Sequence, residues 1–80
     1  MRLPRDVSGE DLATRLSRFG YRVTRQTGSH LRLTTERDGE HHITVPRHPA
    51  IRIGTLSAIT SDVARHHHLD RDALLTLLFT

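Results

Sequence analysis

Tyr21-Arg22-Val23-Thr24-Arg25-Gln26 is followed by Thr27-Gly28-Ser29 and then by His30-Leu31-Arg32-Leu33-Thr34-Thr35. The first run alternates Tyr21 and Val23 against Arg22 and Thr24. The last alternates Leu31 and Leu33 against His30, Arg32 and Thr34. Alternation with period two is the pattern of a half-buried strand, and a Gly-Ser turn between two such runs predicts an antiparallel hairpin. His30 opens the second strand beside the turn. Histidine is the side chain whose ordinary pKa lies nearest neutral pH, so a solvent-facing histidine on rigid backbone suits acid–base chemistry.

Working outward, Arg37-Asp38-Gly39-Glu40 predicts a second turn. His41 to Pro46 then places Ile43 and Val45 opposite His42 and Thr44, extending the hairpin to a three-stranded meander. Upstream, Ser8 can cap a helix whose first turn carries Glu10 and Asp11, with Val7 and Leu12 at the spacing of a hydrophobic staple. Leu12, Leu16 and Phe19 recur on one stripe, Arg15 and Arg18 lie off it as solvated side chains, and Gly20 stops the helix. Downstream, Pro46-Arg47-His48-Pro49 forms a loop and Gly54-Thr55 opens a second helix with Leu56, Ile59 and Val63 on one face. Asp70 caps a short last helix, and its largely apolar run Ala73, Leu74, Leu75, Leu77, Leu78, Phe79 is wider than one packed face needs.

This order predicts an α+β domain spanning residues 1–80: a helix, three antiparallel strands and a helix, with a short extra helix at the C-terminal end. The core falls at about residues 7–67 and the extension at about 69–80. Val23, Leu31, Leu33, Ile43 and Val45 face the helices. His30, Arg32, Thr34, His42 and Thr44 fall on the uncovered face of the sheet, a usable surface for a phosphodiester chain.

Composition narrows the class. Cysteine is absent, so disulfides and thiolate metal sites are excluded. No apolar run approaches membrane length, and a soluble cytoplasmic protein is expected. The formal charge is +3, and every basic residue is an arginine. Arginine stays charged and forks onto phosphate oxygens, which points to a polyanionic partner. The seven histidines do not assemble a metal site by spacing: His41 and His42 point to opposite faces of a strand, and His66-His67-His68 splay around a helix, where they suit its negative end.

In these features the chain resembles the HicA (YcfA-like) family of toxin ribonucleases, which share a double-stranded-RNA-binding-like fold. The resemblance rests on Phe19-Gly20-Tyr21 ending the first helix, Gly28-Ser29-His30 after the first strand, His42-Ile43-Thr44-Val45-Pro46, His48 in the following loop, and Gly54-Thr55-Leu56 opening the next helix. It spans roughly residues 7 to 67. It implies the toxin of a type II toxin–antitoxin pair, an endoribonuclease acting on mRNA, with His30 as catalytic residue and a HicB-type antitoxin covering the site. The toxin would be a monomer when free or a hetero-oligomer with that antitoxin. Leu31 departs from the family, which often has a second histidine or polar residue there.

On this reading His30 removes the proton of a ribose 2′-hydroxyl, with no metal or other cofactor required. Arg25 and Arg32 hold phosphates, and Gly28, Ser29 and His42 complete the RNA-binding set. Gly28 is expected to supply an unusual backbone angle and Ser29 to hold the turn, while His42 could meet His30 across the sheet as a second acid–base group. Gly54-Thr55 could bind phosphate or be an ordinary helix start. The alternatives are a non-catalytic RNA-binding module of the same fold and, on histidine count alone, a metal-binding regulator.

Overall fold

Ser8 caps the first helix, its Oγ accepting the Asp11 N–H at 3.0 Å. The computed structural model describes residues 2–80. Helix α1 runs Gly9–Leu16 and tightens into a 3-10 turn at Ser17–Phe19, closed by Gly20 in the left-handed region at φ 80. Strands β1 (Arg22–Gln26), β2 (His30–Thr35) and β3 (His41–Pro46) follow, then α2 (Ile53–His66) and α3 (Arg71–Phe79). The strands form one antiparallel sheet in the order β1-β2-β3. The order of elements expected from the sequence is therefore the order found.

One face of the sheet is covered. Leu31, Leu33, Ile43 and Val45 meet Leu12 and Leu16 of α1 and Leu56, Ile59 and Val63 of α2 in a single apolar core. Val23 corrects the expectation. It pairs with Leu33 and so shares that strand's inner face, yet it is 46% exposed. β1 is an edge strand, and the helices do not reach over its rim.

The same strand carries a bulge. Register shifts between Val23 and Arg25, leaving Thr24 unpaired and Arg25 opposite Arg32. Strict alternation from Val23 would aim Arg25 inward. The extra residue in the bulge resets the pleat and turns Arg25 to the uncovered face beside Arg32.

Helix α3 completes the core. Asp70 caps it by accepting the Ala73 N–H at 3.0 Å, and Leu74, Leu75 and Leu78 are fully buried while Leu77 is 51% exposed. Arg15 and Arg18 are not simply solvated as their off-stripe positions suggest. Arg15 Nη1 donates to the Leu78 carbonyl at 2.8 Å and Arg18 Nη1 to the Leu77 carbonyl at 2.6 Å. The last carbonyls of a helix have no partners within it, and cations there also meet the negative dipole end.

The histidine-rich end of α2 has separate jobs. His66 Nε2 donates to the carbonyls of Arg37 at 3.1 Å and Gly39 at 3.0 Å, clasping the β2–β3 turn. His67 lies between Asp38 (2.9 Å) and the Tyr21 hydroxyl (3.1 Å). The chain continues from Tyr21 to His41 Nδ1 at 2.7 Å and from His41 Nε2 to Asp62 at 3.3 Å. His68 takes φ 57, and the bonds Leu69 N–H to Ala64 O and His68 N–H to Arg65 O close the helix in a Schellman arrangement. These histidines bind the far end of α2 to the sheet.

Candidate functional site

Thr27 builds the turn that presents His30. Its Oγ1 accepts the N–H of His30 at 3.0 Å and of Ser29 at 3.3 Å, and its own N–H donates to the His30 carbonyl at 2.9 Å. Gly28 is not in the left-handed region, where only Gly20 and Gly39 among the glycines lie, and a Cβ there would meet nothing within 4 Å. The expected unusual angle is absent because the Thr27 hydroxyl does the work of bending the chain. A side chain at Gly28 would point into open space. Ser29 also differs from expectation: its Oγ contacts His30 Nδ1 at 2.9 Å. The His30 ring is exposed, and its Nε2 has no partner among the described residues.

The base of this turn is held by Arg47, which the sequence reading passed over. Its backbone N–H donates to the Ser29 carbonyl at 2.8 Å, its Nη1 to the Thr27 carbonyl at 3.1 Å, and its Nε to Glu10 at 2.9 Å. A lone arginine between two prolines carries no periodic signal, so only the folded arrangement reveals it. Gly9 lets α1 come close enough for this. A Cβ at Gly9 would fall 2.1 Å from the Pro46 carbonyl oxygen, and the Gly9 N–H donates to His48 O at 3.0 Å.

Arg25 and Arg32 stand directly opposite each other across β1 and β2. Neither guanidinium has a partner among the described residues. Like charges in directly opposed positions repel, and an anion between them relieves that repulsion. Arg32 also lies opposite Thr44 on the next strand, so the pair occupies the middle of the uncovered face near His30.

His42 is elsewhere. It pairs with Thr34, while His30 pairs with Pro46, so the two histidines are four residues apart along the sheet, roughly 13 Å at strand spacing. Both ring nitrogens of His42 are engaged, Nδ1 with Thr34 Oγ1 at 2.8 Å and Nε2 with Glu40 at 2.9 Å. Thr34 is buried rather than available, since Thr24 Oγ1 (2.9 Å) and His42 cover its hydroxyl from both neighbouring strands. His42 therefore does not meet His30 across the sheet. His48 contributes a carbonyl to Gly9.

Electrostatics sharpen the picture. Arg15, Arg22, Arg47 and Arg65 each contact a carboxylate. Arg18 and Arg37 donate to backbone carbonyls. Arg2, Arg5, Arg25, Arg32 and Arg52 have no such partner among the described residues. The hydrogen bonds linking Ser29 to Arg47, His48 to Gly9 and Val7 to Ile51 tie the β1–β2 turn, the loop before α2 and the start of α1 to one another.

Residues 9–66 match the family described as the HicA toxin of bacterial toxin–antitoxin systems. The chain belongs to the HicA toxin family. The match runs from the start of α1 to the end of α2, taking in the whole sheet and His30, and stops before α3. A member of such a family is a toxin whose action is countered by an antitoxin, which is its expected partner. Comparison with curated proteins and with solved structures gives no match. No helix among the described residues is long and apolar enough to cross a membrane.

Proposed function

We propose that this HicA family member is a metal-independent endoribonuclease that cleaves mRNA, with His30 as its acid–base residue and a HicB-type antitoxin covering the site. The observation that carries the reading is His30 itself: exposed on rigid backbone, with Ser29 on Nδ1 and Nε2 open. With Nδ1–H donating to Ser29 Oγ, Nε2 is a free base. It removes the proton from a ribose 2′-hydroxyl, the oxygen attacks the adjacent phosphorus, and the bond to the 5′-oxygen breaks as that oxygen takes a proton from water, while the imidazolium returns its proton to solvent. The products are a 2′,3′-cyclic phosphate and a 5′-hydroxyl.

Arg25 and Arg32 are the groups suited to the phosphate. Charge grows on the non-bridging oxygens as the bond to the 2′-oxygen forms, and fixed cations stabilise it without reorganising. The space beside Gly28 admits the strand to the turn. The chemistry needs a base and positive charge, and the residues present offer both. A cytoplasmic setting follows from an mRNA substrate.

The test is His30→Ala. Cleavage of a single-stranded RNA is expected to fall by about 10²-fold or more, with an unchanged circular dichroism spectrum and loss of growth arrest. Wild-type cleavage should persist in a chelator and leave cyclic phosphate ends. Cleavage retained by the variant overturns the role of His30. RNA binding by a wild type that never cuts assigns the chain to the non-catalytic class instead.

A further inference from the structure

The N-terminal segment does more than lead into α1. The Ile51 N–H donates to the Val7 carbonyl at 2.7 Å, pinning the segment beside the loop before α2. There Arg2, Leu3 and Arg5 join Ile53, the first residue of α2, and Arg71, the first residue of α3, around a cavity of about 440 Å³. Among the described residues, no carboxylate lines it.

This grouping is anomalous for a surface hollow. Guanidinium groups around a shared space repel unless a counter-charge joins them. Arg71 Nη2 contacts Ser57 Oγ at 3.3 Å, but Arg71 Nε is buried with no hydrogen-bond partner among the described residues. A buried donor of this kind is rare in folded proteins and calls for an acceptor. The start of α2 has Arg52 at its N-cap with no side-chain bond, so the positive helix end adds to the same field. Leu3 and Ile53 give the cavity apolar walls.

We propose that this cavity is a second RNA subsite, which takes one phosphate-bearing nucleotide of the strand whose scissile bond lies at His30. The inference rests on the proposed function and extends it. The cavity is an open hollow, so a nucleotide would lie against it with one side in solvent. Arginine matches a phosphate with two parallel N–H bonds and stacks on an unpaired base, while the apolar walls suit a sugar or base. The unpartnered arginines favour RNA over an acidic peptide: Arg2, Arg5, Arg25, Arg32 and Arg52 all lack a carboxylate or carbonyl partner among the described residues, and a polyanion supplies a charge to each.

The experiment measures binding of a labelled single-stranded RNA of roughly twelve nucleotides, within the usual reach of one small domain, across a salt series. The parent is the full chain carrying His30→Ala, so that no substrate is consumed. Arg2→Gln combined with Arg5→Gln is compared with it; both side chains are exposed and make no bond that holds the fold. The double variant should weaken binding by about tenfold near 0.1 M salt and reduce the salt slope by about 0.7, as loss of one phosphate contact on a single strand requires. Arg65→Gln, at the opposite end of α2 and paired with Asp62, should leave both values unchanged.

Equal affinity and slope in the parent and the double variant overturn the subsite while leaving the His30 reading intact. Weakened antitoxin binding with unchanged RNA binding makes the cavity a protein contact and also overturns it. A parent that binds no RNA, together with a wild type that cuts none, overturns the proposed function and the subsite together. An equal loss with Arg65→Gln reduces the effect to net charge and removes the case for a defined site.

Discussion

Ser29 holds the His30 ring in the orientation the substrate meets. Its hydroxyl can donate to Nδ1 or accept from it, and the contact at 2.9 Å fixes the ring either way. Ser29→Ala should therefore lower kcat of RNA cleavage by about tenfold, less than loss of the imidazole itself. KM should change little, so that the loss falls on kcat alone, a split that a merely structural serine does not give. At this scale the sequence was partly legible. His30 stood out because it follows a Gly-Ser turn and begins an alternating run. Arg25 could not be oriented, because its direction depends on the bulge at Thr24, and nothing in Thr24 itself announces a bulge. Gly28 misled for a related reason: glycine signals a bend, but here Thr27 supplies the bonds that make it. His68 carries the opposite lesson, since it occupies a left-handed position where glycine is usual. His68→Gly should raise stability by about 1 kcal/mol in urea denaturation.

Elements meet at the His30 end through close backbone approach. Gly9→Ala would drive a methyl group into the Pro46 carbonyl, and either α1 or β3 must move. A stability loss of about 1–3 kcal/mol is expected, along with reduced RNA cleavage, because Arg47 then no longer spans Glu10 and the Thr27 carbonyl in one geometry. Chemical denaturation and a cleavage assay on the same variant check both. The elements themselves were legible because the strands and α1 have one clear period each and three helix boundaries a recognisable cap, Ser8, Gly20 and Asp70, while α2 starts at Arg52 without one. Relations between elements were less so. Val23 has the right parity for the core, but edge position decided its exposure. Arg15 and Arg18 read as solvated because their partners, the carbonyls at the end of α3, lie some sixty residues away. A helical pattern reports which residues share a face, not which distant helix end that face will meet.

For the molecule as a whole, α2 is secured at its far end by a chain of bonds from Asp38 through His67, Tyr21 and His41 to Asp62. Burial first, and then the charge of Asp62, push the Tyr21 phenol well above its ordinary value, so it remains a neutral donor throughout the working range. Tyr21→Phe leaves ring nitrogens of His41 and His67 without their shared hydroxyl and should cost about 1–3 kcal/mol in denaturant unfolding. Asp38 is held below its usual range chiefly by the hydrogen bond from His67, with desolvation opposing, and the charges of His67, Arg37 and His66 assisting. Its ionised form is favoured by the fold, so that contribution exists above the unfolded carboxylate pKa and disappears as pH falls through the lower folded value. Asp38→Asn, which tolerates the left-handed backbone at φ 58, should be less stable than wild type at neutral pH. That difference should close at strongly acidic pH, as followed by thermal unfolding. A different consequence follows from Leu74, Leu75 and Leu78, which sit fully buried in α3 beyond the residues shared with the HicA family. During synthesis, His30 and every strand residue are polymerised before those leucines exist to close the core. A nascent chain therefore carries its proposed cutting residue for about a few seconds without a finished fold to aim it, and a premature stop codon after Val63 should yield a harmless product that still encodes every candidate site residue on the sheet.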